Sequence, residues 1–136
     1  MILLGLNHRF TAALLHVPAM MDMLGSEAGR ECGFPYLEGY YGKRADRDAA
    51  FANAAYFNGA FFAARVTCPV RISMGFIDNV CPPTGVYAGY NALRVKDRQI
   101  LHGLYRAHGW WPEAEVWEEW LRCDNGNREN QKRRTE

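Results

Sequence analysis

Arg71-Ile72-Ser73-Met74-Gly75-Phe76-Ile77-Asp78-Asn79-Val80-Cys81-Pro82-Pro83 reads as a strand that breaks at a glycine and then offers one carboxylate ahead of two consecutive prolines. An acid at the C-terminal edge of a strand stands where open α/β sheets place their chemistry. On the N-terminal side, Thr67-Cys68-Pro69 ends a helix, because proline removes a donor and pushes its predecessor toward extended geometry. On the C-terminal side, Pro82-Pro83-Thr84 opens another helix, with Thr84 as its N-cap and Val86, Tyr87, Tyr90 and Leu93 as its buried stripe.

Upstream, residues 1–6 read as the last turns of a helix closed by Gly5 or Asn7. Residues 10–17, FTAALLHV, form an apolar run without polar alternation, as in a strand buried on both faces of a parallel sheet, with a short helix as the alternative that its alanines and leucines leave open. Residues 19–41 are rich in glycine and aromatics and read as a loop with short helical turns, a long excursion of the kind that serves function or an interface. Residues 46–57 have helical character, capped by Asp46 or Asp48, with Ala50, Phe51, Ala54, Ala55 and Phe57 on the apolar side. A second short helix spans residues 58–64, with Asn58 as cap and Phe61 and Phe62 to bury.

Downstream, residues 99–105 read as a third strand, followed at once by His108. Pro112 suits the first turn of a last helix, whose acidic start (Glu113, Glu115) fits its dipole and whose apolar face is Val116, Trp117, Trp120 and Leu121. Residues 124–136 contain no hydrophobe and are expected to be a disordered polar tail. Strands alternating with helices imply about three parallel strands joined by right-handed crossovers, an α/β class. Apolar runs such as FTAALLHV make poor sheet edges, so the sheet reads as part of a larger one.

Composition sets the outer bounds. A chain of 136 residues can bury a single core, and a net charge of +1 gives no call for a nucleic-acid or membrane partner. Lys132-Arg133-Arg134 belongs to the solvated tail. Four cysteines, Cys32, Cys68, Cys81 and Cys123, stand far apart without the clustered spacing of a zinc site, and no cofactor is expected. The core-like flanks of Cys68 and Cys81 favour free buried thiols and a reducing, cytoplasmic compartment. The apolar start is too short to span a bilayer and lacks the marks of a targeting segment.

The chemistry-bearing pair is Asp78 after the second strand and His108 after the third. In a parallel sheet both lie at the same C-terminal edge, where an acid orienting an imidazole is two thirds of a nucleophile–His–acid triad. Acid before histidine also fits the chain order nucleophile, acid, histidine. No Gly-x-Ser-x-Gly elbow occurs, and the only serines, Ser26 and Ser73, are not on strand-to-helix turns. The competing reading makes Asp78 a loop cap and His108 a surface histidine. His8, His16 and His102 are weaker alternatives for the base.

Asp78-x-x-Cys81-Pro82-Pro83 followed by Tyr87-Ala88-x-Tyr90-Asn91 resembles the acetyl xylan esterase/cephalosporin C deacetylase family, whose acid loop reads D-x-x-C-P-P. The segments Val17-Pro18-Ala19-Met20-Met21-Asp22, Tyr56-Phe57 and Ala63-Ala64-Arg65-Val66-Thr67-Cys68-Pro69-Val70 are similar to further stretches of that family, so the likeness runs over residues 5–121. The resemblance implies an α/β-hydrolase fold, of which residues 1–123 would be the C-terminal portion. It also implies deacetylation of acetylated mono- or oligosaccharides or related small esters by a Ser-His-Asp mechanism, and a homo-oligomer for the intact family member. Asp78 matches the family's triad acid and His108 its base. The serine, in a Gly-x-Ser-Gln-Gly elbow, and the oxyanion donors would precede Met1, and the chain alone would be inactive. The sequence departs from the family at Gly109, where glutamate often follows the histidine, and at Ala107, where glycine usually precedes it. The alternative is a non-catalytic carbohydrate- or partner-binding module using Trp110, Trp111, Trp117, Trp120, Tyr36 and Tyr40 as an exposed platform.

Overall fold

A computed structural model describes residues 1–112, 115 and 117–122. The central strand β2, Val70–Gly75, is buried along its whole length. It lies between β1, Ala13–His16, and β3, Arg98–Gly103, in the order β1-β2-β3. Both pairings are parallel, with His16 opposite Ser73 on one side and Gly75 opposite Gly103 on the other. The expected three-stranded parallel α/β arrangement is therefore present.

Strand alternation divides β2 into two faces. Val70, Ile72 and Met74 are completely buried and join Leu4, Ala63, Val66, Val86 and Leu93 in the core. Each such side chain contributes about 1.5–3 kcal/mol by leaving water. Arg71, Ser73 and Gly75 face the other way, under the chain's C-terminal part. The Arg71 guanidinium pairs with Asp97 at 2.7 Å and stacks 4.3 Å from the Trp120 ring. Gly75 leaves room for Trp111, which is 3 % exposed. The strand alternates apolar and polar residues, yet every position is buried, because the Arg71/Ser73 face is covered as well.

Helices α1 (Ile2–Leu6), α2 (Leu37–Tyr41), α3 (Arg47–Ala55) and α4 (Gly59–Ala63) precede β2, and α5 (Pro83–Ala92) crosses from β2 to β3. Asn58 caps α4 as expected: its side-chain oxygen accepts from the Ala60 and Asp22 amides, at 3.2 and 2.9 Å. On α5, Gly85 and Gly89 form a smooth strip against Met21, so the buried stripe is Gly85, Val86, Gly89 and Leu93, with Tyr87 and Tyr90 half-buried.

Several local expectations are corrected. β1 is only the middle of the apolar run, since Val17 turns to φ 37° and leaves the sheet. Thr84 is not the N-cap of α5. Pro82 holds that position, and the Thr84 hydroxyl donates instead to the Glu31 carbonyl at 2.7 Å. Asp46 holds the N-cap position of α3 as expected, but its side chain makes no capping bond and its carboxylate pairs with Arg44 at 2.9 Å. Phe57 and Phe61 lie on the surface rather than in the core. The excursion, by contrast, holds the short helical turns expected of it, a 3-10 turn at Gly25–Ala28 and α2. Cys68 and Cys81 are buried as expected, with no disulfide at either, whereas Cys123 lies outside the described residues. So do Glu113, Val116 and the polar tail at 124–136, while residues 117–122 are helical. Among the described residues, no helix is long and apolar enough to cross a membrane.

Candidate active site

The loop leaving β2 is locked to the loop leaving β3 through the backbone. The Phe76 amide donates to the Gly103 carbonyl, and the Ile77 amide donates to Arg106 at 3.3 Å. Within this frame Asp78 turns inward, its side chain fully buried. One carboxylate oxygen, Oδ1, accepts from the Val80 and Cys81 amides, both at 2.8 Å. The other, Oδ2, faces Nδ1 of His108 at 3.0 Å. The run Asp-x-x-Cys-Pro-Pro makes this geometry: the amides two and three residues on bend back to the carboxylate, and the prolines then start α5. The buried acid thus has its charge stabilised by two amides before the imidazole arrives.

His108 sits on the tight turn after β3 with its side chain 41 % exposed. Glycine at 75 and 103 allows this turn to close. A β-carbon at Gly75 would stand 2.3 Å from the Arg106 carbonyl oxygen, and one at Gly103 would stand 2.6 Å from the Arg106 side chain. Gly109, the departure noted after the histidine, adopts φ 136°, a conformation that glycine tolerates and other residues rarely enter. The Asp78 carboxylate can only accept, so it fixes the proton of a neutral His108 on Nδ1 and leaves Nε2 with its lone pair. Among the described residues, Nε2 has no hydrogen-bond partner. Such an imidazole can take a proton from a nucleophile brought to it and return it to a leaving group.

The other sequence candidates fall elsewhere. His102, on β3, bonds the Tyr87 hydroxyl at 2.8 Å, and His8 lies on the surface. Ser73 and His16 do form a serine–histidine contact, but Ser73 is fully buried and His16 turns its other nitrogen to the Gly109 carbonyl rather than to an acid. No substrate reaches that hydroxyl. Trp111 is buried against Gly75 and Gly103 with its indole N–H on the Ala107 carbonyl, at 3.2 Å, so it cannot belong to an exposed aromatic platform. Sequence reasoning missed the parts of Trp111 and His16 here; the only available signal was the Gly75/Gly103 pair, which becomes meaningful once the register sets them side by side.

Asp78, Cys81 and His108 bring one donor atom each within 4.8 Å of one another, a set that a thiophilic cation could use. Two of these donors already bond each other. Burial, reinforced by the Asp78 charge, pushes the Cys81 thiol up to about 11, so a cation would have to break the acid–imidazole pair and strip a strongly held proton. The raised value favours the folded state while the thiol stays protonated. Stability from this source is complete below the ordinary value of 9.0 and lost as pH rises toward about 11. Alkylation mapped by mass spectrometry should therefore leave Cys81 unmodified at pH 7–8, with labelling appearing only as pH approaches about 11.

Residues 11–113 match the protein family described as Acetyl xylan esterase (AXE1). Acetyl esterase Axe7A of Xylanibacter ruminicola is 35% identical over 97 residues, which is 71% of this chain and 22% of that protein. The chain thus spans about a fifth of this relative's length. Among solved structures, an acetyl xylan esterase from Paenibacillus sp. R4 superposes with a TM-score of 0.71 at 21% identity, over 90% of this chain and 39% of the other. Acetyl xylan esterase 1 from Thermoanaerobacterium sp. gives 0.72 at 20% identity, over 86% of this chain and 38% of the other. At that identity the structural likeness speaks for the α/β-hydrolase type of fold.

Proposed function

This chain belongs to the acetyl xylan esterase family, and from that premise we propose that it supplies the acid and base of a Ser-His-Asp carboxylic-ester hydrolase acting on acetylated mono- or oligosaccharides or related small esters. The observation that carries the reading is the buried Asp78 carboxylate, held by two amides and aimed at Nδ1 of the half-exposed His108. In the proposed reaction Nε2 of His108 takes the proton of a serine hydroxyl as its oxygen attacks the acetyl carbonyl. The same nitrogen then protonates the departing sugar alkoxide, leaving an acetyl-serine. Water, deprotonated by Nε2, attacks that ester; acetate leaves and the proton returns to serine. Asp78 stays ionised throughout and stabilises the imidazolium. No step needs a metal or cofactor.

In this reading residues 1–123 form one portion of the hydrolase domain, and the serine and oxyanion donors come from residues outside this sequence. Ser73 is sealed in the sheet and Ser26 lies in the 3-10 turn of the excursion, which supports looking for the nucleophile elsewhere. The intact protein is read as a homo-oligomer without nucleic-acid or membrane partners, in a reducing cytoplasm that suits its buried cysteines.

Two measurements test this. The purified chain alone should neither turn over 4-nitrophenyl acetate nor be labelled by a serine-directed fluorophosphonate; rapid turnover with label on Ser26 or Ser73 would overturn the division of labour. Fusing a segment that carries Gly-x-Ser-Gln-Gly ahead of Met1 should restore release of acetate from acetylated xylo-oligosaccharides. Failure of a folded fusion to do so counts against the substrate class.

A further inference from the structure

We propose that His16 is a positioning residue that ties the His108 loop to the central strand. The proposal rests on the reading of Asp78 and His108 as acid and base. The bond to Asp78 orients the His108 ring, but the half-exposed loop that carries it needs its own anchors. The two peptide carbonyls flanking the histidine supply them. Ala107 accepts from the indole N–H of Trp111 at 3.2 Å, and Gly109 accepts from Nε2 of His16. The φ of 136° at Gly109 is what a glycine there makes accessible.

The hydrogen-bond pattern fixes the His16 tautomer. A carbonyl oxygen only accepts, so Nε2 carries the proton, and Nδ1 of the neutral ring must then accept from the Ser73 hydroxyl. Ser73 is completely buried on β2 and directly opposite His16 in the register. The ring also stands edge-on to Trp111, with centroids 5.2 Å apart at 74°, so His16 braces both the carbonyl on one side of His108 and the indole that grips the other. A continuous path therefore runs from β2 through Ser73 and His16 to Gly109. Asp78 leaves the same strand a few residues on. One buried strand sets the position of the acid directly and of the base through the His16 imidazole.

The test is nuclear magnetic resonance on the full chain, following solvent exchange of the His108 Nδ1 proton. His16→Phe keeps the ring and its contact with Trp111 but removes both hydrogen bonds. It should speed that exchange about tenfold, the scale of one or two net hydrogen bonds, while the Ile72 and Met74 amides keep their protection. His16→Gln, which retains a donor for Gly109 and an acceptor for Ser73, should bring the rate back to within about threefold of the original. An unchanged rate in a folded His16→Phe chain overturns the proposal, as does failure of His16→Gln to restore it. Should His16→Phe unfold the chain, Ser73→Ala leaves the imidazole in place without its donor and must show the same acceleration, or the proposal falls. Asp78→Asn separates the two readings. If the His108 proton does not depend on Asp78, the acid–base pair itself is wrong; if it depends on Asp78 but is indifferent to His16, only the positioning role fails.

Discussion

If the proposed Ser-His-Asp reading holds, replacing Asp78 by asparagine is expected to lower acetyl-ester turnover of the complete hydrolase by about four orders of magnitude. The size follows from which way the new amide must face. Oδ1 of Asp78 accepts from the Val80 and Cys81 amides, so an asparagine keeps its carbonyl oxygen there and turns its NH2 toward His108. Nδ1 of His108 must then accept rather than donate, and the ring proton moves to Nε2, the atom that has to be a base. Shape and packing are preserved while the proton is on the wrong nitrogen. The measurement is kcat with an activated acetate ester, alongside thermal unfolding to show that the variant is folded; a loss of less than about tenfold would remove Asp78 from the mechanism. Asp78→Ala behaves differently. It strands two amide donors inside the protein at about 1–3 kcal/mol each, so it loses stability as well as activity.

The features legible in the sequence were those fixed by short-range chemistry. The prolines at 69 and 82–83 bracket β2 and the acid loop, Asn58 announces α4, and the unalternating hydrophobes of residues 10–17 announce β1. Asp78 and His108 follow from parallel pairing, which brings successive strand ends to one edge. What could not be read was whatever depends on register. That His16 opposes Ser73 and Gly75 opposes Gly103 emerges only when the strands are aligned, and a shift of one residue would place every one of these side chains on the opposite face. The misjudged cap at Thr84 has the same origin: its hydroxyl donates to the Glu31 carbonyl, 53 positions away in the chain, and Asp46, although it holds the N-cap position, turns its carboxylate to Arg44. Local propensity ranks the candidates for a cap, but tertiary neighbours decide which one is used. Phe61 is exposed for a related reason, because α4 is only five residues long and Gly59 and Ala63 already occupy its inner side.

Gly75→Ala should also damage catalysis, by about a hundredfold, although it adds only one methyl group and changes neither the Asp78 nor the His108 side chain. Its β-carbon would stand 2.3 Å from the Arg106 carbonyl oxygen, 3.0 Å from the Arg106 carbonyl carbon and 3.0 Å from the Trp111 ring. The first of these is backbone, so rotating a side chain cannot relieve it. The turn carrying His108 has to lift by about 1 Å, and displacement on that scale costs about a hundredfold in rate when it misplaces a catalytic group. The lift also strains the Ile77–Arg106 hydrogen bond that joins the acid and base loops, and loosens Trp111 from its seat over β2. Overpacking of this kind costs about 1–3 kcal/mol, so the expected result is a folded, less stable protein whose kcat falls about a hundredfold with KM little changed. Urea denaturation gives the stability term and steady-state kinetics the other. If the alanine variant keeps more than about half of its kcat, the close packing of the two loops over Gly75 is not what sets the His108 geometry.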